Sequence, residues 1–289
     1  LLLEGMGYGI PANNSSDPRN GARKDAEYNA GSGGTISQWP EQIGLSATFD
    51  PEITREFGAL ASREYRALGI TTALSPQIDL ATDPRWNRFY GTFGEDPALA
   101  TEMARAYVDG FQGTGQDWDW GAESVNAMVK HWPGGGPEEG GRDGHFAYGK
   151  FAVYPGNNFQ DHLKPFVDGA FNLRGKTGAA SAVMPYYTIS YAQDTVYGEN
   201  VRNGFSKYLI TDLLREQYGY QGVVCTDWLI TGDEGPYPDV FAGKPWGRGE
   251  SSSWETMSQV LSWKPSGFSL INTGSRPCGN VLKGQRSGF

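Results

Sequence analysis

Short apolar runs alternate along the chain with longer stretches in which apolar residues recur at helical spacing. The apolar runs contain β-branched residues and end at polar, glycine or proline positions, which is typical of buried strands. The predicted strands cover 70–76, 125–132, 179–187 and 222–228, and the predicted helices cover 51–68, 96–111, 157–171 and 203–218. Pro51 suits a first helical position, and Gly219 suits a C-cap of the last helix.

The order of these elements indicates the fold class. Strands separated by a helix run parallel, and near-continuous apolar strands indicate a sheet that is covered on both faces. A barrel and an open doubly wound sheet both satisfy this pattern. A dinucleotide-binding open sheet would carry Gly-x-Gly-x-x-Gly after its first strand, but residues 5–9, the nearest approach, precede no helical pattern. We therefore predict an α/β fold and favour a (β/α)8 TIM-like barrel, incomplete or irregular at both ends.

The pattern weakens after about residue 233. A Pro/Gly-rich loop covers 235–249, a short helix is predicted over 254–263 and a last strand over 267–272. A length of 289 residues suits one α/β barrel. We expect residues 1–289 to form a single (β/α)8-like catalytic barrel domain, in which 233–289 are the weakly matched end of the barrel or a linker.

Composition restricts the partners. The net charge is −9 and the basic residues are scattered, which argues against nucleic acid and anionic membranes. No signal peptide or membrane span is visible in the sequence. Nine Trp and fifteen Tyr offer aromatic faces that can pack against sugar rings, although about half of them are expected in the core.

Candidate site residues follow all four predicted strands: Arg88, Lys130, His131, Met184, Tyr187 and Asp227. In a parallel barrel the C-terminal strand ends meet on one face, which carries the active site. Any one charged residue alone would suit a structural salt bridge, but together they predict a site for a polar, neutral substrate such as a sugar. Asp227 beside Arg and Lys is expected to stay ionised, as a nucleophile at an anomeric carbon must.

Four motifs in register resemble the first domain of the family 3 glycoside hydrolases over most of the chain. They are Asp83–Arg88 followed by Gly94–Asp96, the pair Lys130–His131, the segment Gly140–Asp143 of the β-glucosidase branch, and Thr226–Trp228. The resemblance implies a retaining, exo-acting β-glycosidase, with β-glucosidase as the first choice. Such an enzyme removes terminal β-linked glucose from oligosaccharides or glucosides through a covalent glycosyl-aspartate, and no cofactor is expected.

The resemblance also assigns roles to individual residues. Asp227 would be the catalytic nucleophile. The sugar would be held or lined by Asp17, Arg88, Lys130, His131, Arg142, Met184, Tyr187 and Trp228. The chain departs from the family pattern at Asn87, at Gly91 and in residues 266–269, where the end of the barrel is expected.

The second catalytic group has two candidates. In most of the family it is a Glu on a second, α/β sandwich domain, which would follow residue 289, so we expect this chain to be part of a longer enzyme and inactive alone. A hexosaminidase branch instead uses an Asp-x-His pair, which Asp143-Gly144-His145 resembles at a position about two residues later. The fit of 140–143 to the glucosidase branch favours the external Glu and makes His145 incidental.

Other polar residues have ordinary structural explanations. Glu138 and Glu139 are expected to be solvated loop charges, Asp96 a helix N-cap and His162 a surface residue. Cys225 is expected to be a buried thiol. The three His and two Cys show no metal-ligand spacing.

Hypotheses of different classes follow. The first is a β-glucosidase, or a related β-xylosidase or β-N-acetylhexosaminidase, the last with a His acid/base. The second is a carbohydrate-binding relative without catalysis, against which the intact motif at 226–228 argues. The third is a different barrel enzyme that shares only the fold, although the tail shows no Gly-rich phosphate site. Family resemblance suggests a secreted or periplasmic location.

Overall fold

A computed structural model describes residues 13–17, 20–21, 36–228 and 230. The strands are β1 (Ser15–Ser16), β2 (Thr72–Ala73), β3 (Asn126–Trp132), β4 (Phe151–Ala152), β5 (Ala182–Pro185), β6 (Ile189–Ser190) and β7 (Val223–Val224). The α-helices are α1 (Gln42–Ser46), α2 (Pro51–Ala67), α3 (Pro97–Gln112) and α4 (Phe159–Lys164). π-Helical segments cover Pro165–Ala170 and Tyr208–Gln217, and 3-10 turns cover Phe89–Gly91, Gln116–Trp118, Glu139–Gly141, Ala147–Gly149 and Asn203–Phe205.

Five strands form one parallel sheet in the order β1-β2-β3-β5-β7, while β4 and β6 form a separate parallel pair. The register aligns Thr72 with Asn126 and Met128 with Ala182. The predicted α/β class with parallel strands is confirmed. Among the described residues the sheet is open, and the predicted helix at 254–263 and last strand at 267–272 lie outside them.

Helices α2 and α3 begin as the sequence predicts. Each starts at a proline, and the carboxylate of the preceding aspartate caps the first turn. Asp50 accepts from Glu52 N at 2.9 Å, and Asp96 accepts from Leu99 N at 2.7 Å. The N-cap role predicted for Asp96 is therefore confirmed.

The two helices approach each other closely at a pair of glycines. A Cβ on Gly110 would lie 2.2 Å from Arg55 O, and a Cβ on Gly58 would lie 2.7 Å from Tyr107 O. Any larger residue would push the helices apart. The aromatic side chains between them belong to the same core cluster as the apolar residues of β3, so this helical layer packs on the sheet.

The helix predicted over 157–171 is divided in the structure. Pro165 has no N–H and ends α4, and the chain continues as a wider π-helical segment in which Phe171 N donates to Phe166 O at 2.8 Å. The helix predicted over 203–218 is likewise divided, into a 3-10 turn and a π-helical segment. Apolar spacing alone does not distinguish these geometries.

Burial corrects one prediction and confirms another. His162 on α4 is not a surface residue, because it packs beneath Gly134 and edge-on to the Tyr154 ring and is only 1% exposed. Burial lowers the pKa of His162 to about 4. Cys225 is buried as predicted. None of the helices in the described part of the chain has both the length and the apolar character to cross a membrane.

Candidate active site

Asp17 and Lys130 form a buried ion pair at the carboxyl ends of β1 and β3. Lys130 Nζ donates to Asp17 Oδ2 at 2.8 Å, and both side chains are buried. A buried charge without a partner would cost several kcal/mol, so each of these residues makes the other tolerable. Two residues that are far apart in the chain thus meet where the sequence placed the sugar site.

His131, the residue after Lys130, is held by a carboxylate that the sequence pattern did not reveal. Asp79 Oδ2 lies 2.8 Å from His131 Nδ1, and Asp79 Oδ1 accepts from the backbone N–H groups of His131 and Gly135 at 2.9 and 2.6 Å. On the other side of the ring, Arg88 Nη1 lies 3.2 Å from His131 Nε2. A guanidinium only donates, so Nε2 accepts and Nδ1 carries the proton that Asp79 accepts. His131 is therefore a neutral imidazole with a defined tautomer.

Asp79 could have been found by the rule that identified Asp227. It lies in the apolar run at residues 78–81, after the parallel bridge of Gln77 with Lys130 that continues the line of β2, and a carboxylate in such a run indicates a site. Burial raises the pKa of Asp79, even though the N–H groups of His131 and Gly135 lower it.

Asp227 lies just beyond β7 and is fixed by two hydrogen bonds to one of its oxygens. Oδ1 accepts from the Tyr187 hydroxyl at 2.8 Å and from Trp228 N at 2.7 Å. Oδ2 lies 3.9 Å from His131 Nε2, too far for a hydrogen bond. The carboxylate therefore presents Oδ2 towards the side of the site that holds His131.

Burial dominates the electrostatics of Asp227. Burial raises the pKa of Asp227, and the charges of His145 and Arg88, with the hydrogen bonds from Tyr187 and Trp228, lower it only in part. Lys130 is engaged by Asp17, and removal from water outweighs the attraction of Arg88. The ionised state that a nucleophile needs stays a prediction for Asp227.

Asp143 and His145 form a second hydrogen-bonded pair beside the site. Asp143 Oδ1 accepts from His145 N at 2.9 Å and lies 2.5 Å from His145 Nδ1, while Oδ2 accepts from Trp86 Nε1 at 3.2 Å. The His145 ring lies 5.0 Å from the ring of Tyr187, whose hydroxyl binds Asp227. Burial acts to raise the pKa of Asp143, but the hydrogen bond and charge of His145 prevail and lower it to about 2.

The remaining predicted site residues divide into two groups. Met184 is buried in a small apolar cluster that includes Cys225, and the half-buried Trp228 packs against this cluster. Arg142 is not brought to the site, because its side chain is 55% exposed and its Nη1 lies 3.7 Å from Glu139 Oε2. The sugar-binding role of each of these residues stays a prediction. The described residues contain no group of three or more His, Cys, Asp or Glu that could hold a metal ion.

Glu138 is not the solvated loop charge that the sequence suggested. It is 3% exposed, and its Oε1 accepts from Gly144 N at 2.7 Å. Burial, followed by the charge of Asp143, raises the pKa of Glu138 well above its usual value. Glu139 is exposed, as predicted. The sequence does not show which of these two adjacent glutamates is buried. Residue 138 is buried because its backbone pairs with Ala152.

The fold and site define an α/β protein with a buried carboxylate at the carboxyl end of a parallel sheet. Residues 9–237 match the glycosyl hydrolase family 3 N terminal domain, and the chain belongs to this family. It is 44% identical over 261 residues to a periplasmic beta-glucosidase/beta-xylosidase from Dickeya chrysanthemi and 41% identical over 256 residues to beta-glucosidase C from Emericella nidulans. These matches cover 85% and 88% of this chain but only 38% and 39% of the relatives, so the chain spans less than half their length.

Solved structures show the same fold. The chain is similar to a β-glucosidase from Erythrobacter marinus, with a TM-score of 0.62 and 25% identity, over 92% of this chain and 30% of that one. It is also similar to a β-glucosidase involved in saponin metabolism from intestinal bacteria, with a TM-score of 0.62 and 28% identity, over 78% and 26% of the two chains. This likeness confirms the predicted barrel class. The strand order agrees with it, because the strands of the open sheet follow one another in chain order, as they do in a barrel.

Proposed function

We propose that this chain is the barrel domain of a retaining, exo-acting β-glycosidase and that Asp227 is its nucleophile. The observation that carries the proposal is the state of Asp227, a buried carboxylate at a strand end whose Oδ1 takes two hydrogen bonds while Oδ2 faces His131. Such fixation pre-orients a nucleophile and leaves one oxygen to form the new bond.

The reaction proceeds in two steps. Asp227 Oδ2 attacks the anomeric carbon, the glycosidic C–O bond breaks, and the leaving oxygen takes a proton from an acid/base group. Water, deprotonated by the same group, then breaks the glycosyl-aspartate ester and restores the carboxylate. Burial removes water from the Asp227 carboxylate and raises its pKa, and a less solvated carboxylate is a better nucleophile.

The sugar being transferred would be held by the polar groups around Asp227. The Asp17–Lys130 pair offers both an acceptor and donors to hydroxyls, and Arg88 offers further donors. Neutral His131 donates only through Nδ1, which Asp79 occupies, so it would act mainly by orienting Arg88. Relatives named β-glucosidase favour terminal β-linked glucose as the substrate, with β-linked xylose as the alternative. Relatives named periplasmic favour a secreted or periplasmic location.

Measuring hydrolysis of matched aryl glycosides by the full-length gene product tests this function. We expect turnover of the β-glucoside, weaker turnover of the β-xyloside and least of the β-N-acetylglucosaminide. Proton NMR of the first product should show the β-anomer before mutarotation. An initial α-anomer would show inversion and would remove the covalent intermediate, and absence of turnover on all three glycosides would reject the glycosidase.

The acid/base has a leading candidate and a rival. The leading candidate is a Glu supplied by a second domain outside this chain. The rival is His145, because the Asp143–His145 pair is hydrogen bonded and lies against Tyr187. An Asp-oriented imidazole is a competent proton donor near neutral pH.

Two measurements separate these candidates. Residues 1–289 produced alone should not turn over an aryl β-glucoside, and ordinary turnover would exclude an acid/base outside them. His145→Ala in the full-length gene product should keep most of the wild-type activity. A loss of about 100-fold or more, as general acid catalysis is worth, would favour His145 instead. Binding of a sugar by a protein with no turnover would favour a binding relative.

A further inference from the structure

Glu138 is a buried carboxyl group for which the reaction above has no use. It lies on the loop between β3 and β4, where residue 138 pairs antiparallel with Ala152 and Val153 N donates to Pro137 O at 2.8 Å. The backbone at residue 138 is therefore anchored to β4. The carboxyl group extends from this anchor across the loop.

The carboxyl group closes the loop at a second point. Glu138 Oε1 accepts from Gly144 N at 2.7 Å, six residues further along, and Glu138 O accepts from Gly141 N at 3.0 Å. Gly144 is tightly enclosed, since an added Cβ would lie 2.7 Å from Glu138 Oε1, 2.8 Å from Thr188 Cγ2 and 2.9 Å from Tyr186 Cε1. The Glu138 side chain is thus one wall of the space that Gly144 fills.

The residues on either side of Gly144 are the pair that lies beside Asp227. Asp143 accepts from Trp86 Nε1, and His145 packs on the ring of Tyr187. We propose that Glu138 is a positioning residue, whose carboxyl group ties residue 138 to residue 144 and so holds Asp143 and His145 against the site. This inference rests on the proposed function, because it concerns the loop that borders the proposed nucleophile.

The chemistry of the surroundings indicates how a carboxyl group fills this role. Among the described residues, Glu138 Oε2 and the Tyr186 hydroxyl are both buried, and neither makes a hydrogen bond of ordinary geometry. Burial, followed by the nearby charge of Asp143, raises the pKa of Glu138 well above its usual value, which favours the uncharged acid. An uncharged acid accepts the Gly144 N–H without adding a second negative charge next to Asp143. The amide of Gln has the same shape and can accept the same hydrogen bond.

Three variants of the full-length gene product test the proposal: Glu138→Ala, Glu138→Gln and the control Glu139→Ala. Glu139 is the matched neighbour, with a side chain that is 55% exposed. We expect Glu138→Ala to lower kcat on an aryl β-glucoside by about 10- to 100-fold, because a displaced loop moves against the Tyr187 ring, whose hydroxyl holds Asp227 Oδ1. Removal of the His145 ring alone leaves that hydrogen bond in place, so His145→Ala does not have the same effect. Glu138→Gln and Glu139→Ala should stay within about threefold of the wild type.

Binding of the inhibitor isofagomine, measured by calorimetry, separates positioning from collapse. The Asp17–Lys130 pair and Arg88, which are proposed to hold the glycone, lie outside the loop, so Glu138→Ala should bind isofagomine within about threefold of the wild type. If Glu138→Ala does not fold, Glu138→Asp replaces it, because its carboxyl group is one methylene too short to reach Gly144 N, and the same loss of kcat is expected.

Several results would overturn the proposal. They are wild-type kcat in Glu138→Ala, equal damage in Glu138→Gln, equal damage in Glu139→Ala, or parallel loss of kcat and isofagomine binding. A wild-type protein without β-glycosidase turnover would reject the proposed function itself, and an active wild type with an equally active Glu138→Ala would reject only this inference.

Discussion

Helices α2 and α3 and the carboxyl ends of the strands border the same sheet, yet they bury different chemistry. Between the helices the side chains of Tyr65, Tyr107 and Phe111 pack ring against ring, stacked at 4.7 Å and edge-on at 5.3 Å. At the strand ends the buried side chains are charged or titratable, including Asp79 and Asp227. We refer to these regions as the helical layer and the strand-end layer.

The contrast separates stability from chemistry. Apolar burial in the helical layer stabilises the fold, whereas buried charges pay a desolvation penalty that their partners only offset. The strand-end layer therefore cannot be explained by stability, and its ion pairs and fixed imidazole are better explained by a substrate. Substitutions in the helical layer should therefore lower stability, and substitutions in the strand-end layer should lower activity.

The largest effect is expected from removing the nucleophile in the strand-end layer. Asp227→Ala should lower kcat on an aryl β-glucoside at least about 1,000-fold, because it removes the carboxylate proposed to form the ester. Binding of glucose, a neutral sugar, and the melting temperature should change little, since the Asp17–Lys130 pair remains. Asp161→Ala, which removes half of an exposed ion pair with Lys164, is the control. Substantial turnover by Asp227→Ala would break the comparison at its centre.

The reverse failure is expected in the helical layer. Phe111→Ala should cost about 3–5 kcal/mol of unfolding free energy, measured in urea, because it leaves a cavity beside Tyr107. The fraction that stays folded should turn over at the wild-type rate. Phe49→Ala is the control, since Phe49 is 75% exposed, and should change stability by less than about 0.5 kcal/mol. A folded Phe111→Ala protein with strongly reduced kcat would show that the layers are not separable.

A pH-dependent loss of stability is expected from His162, which lies below the strand-end layer. The pKa of His162 is lowered to about 4 in the folded chain, against 6.5 unfolded, so between these values the unfolded chain binds more protons. Stability should therefore fall as the pH drops from about 6.5 towards 4, by about 2–3 kcal/mol from this residue. His162→Leu should remove that part of the slope in urea unfolding at pH 7 and 4.5. Equal slopes in the two proteins would contradict the prediction.

The smallest effect is expected from Asp79, which fixes the tautomer of His131 in the strand-end layer. Asp79→Asn keeps acceptors for the N–H groups of His131 and Gly135 but presents an N–H to His131 Nδ1, so the imidazole must move its proton to Nε2 and face Arg88. We expect kcat/KM to fall by about 10- to 100-fold, as loss of an orienting partner does. Nitrogen-15 NMR should show the Nδ1–H tautomer in the wild type alone. An unchanged tautomer with unchanged kcat/KM would remove Asp79 from the site.

The same contrast explains how much of the molecule is predictable from sequence. In the helical layer the apolar residues recur at helical spacing, and each helix begins at a proline that follows an aspartate. The sequence therefore predicts the bounds of α2 and α3 to within about a residue or two. The sequence does not predict the wider π-helical turns after Pro165, because apolar spacing is similar in α and π geometry. Strand positions followed from apolar runs, although the paired segments of β2 and β7 are only two residues long.

The strand-end layer was predictable in composition but not in pairing. Position at a strand end identified Lys130, His131 and Asp227, but nothing local shows that Lys130 pairs with Asp17 instead of with Asp227. Burial of Glu138 depends on a tertiary contact with β4 that no periodicity encodes. The charge pairing and the burial of these side chains depend on residues that are distant in sequence, so only the structure shows them.

The central claim is that Asp227 forms a covalent bond to the sugar. Incubation of the full-length gene product with a 2-deoxy-2-fluoro-β-glucosyl fluoride slows breakdown of the ester and accumulates it, and peptide mapping by mass spectrometry then locates the sugar. We predict one sugar per chain on Asp227 and none in Asp227→Ala. A label on another carboxylate, or steady turnover of aryl β-glucosides with no label at all, would contradict it.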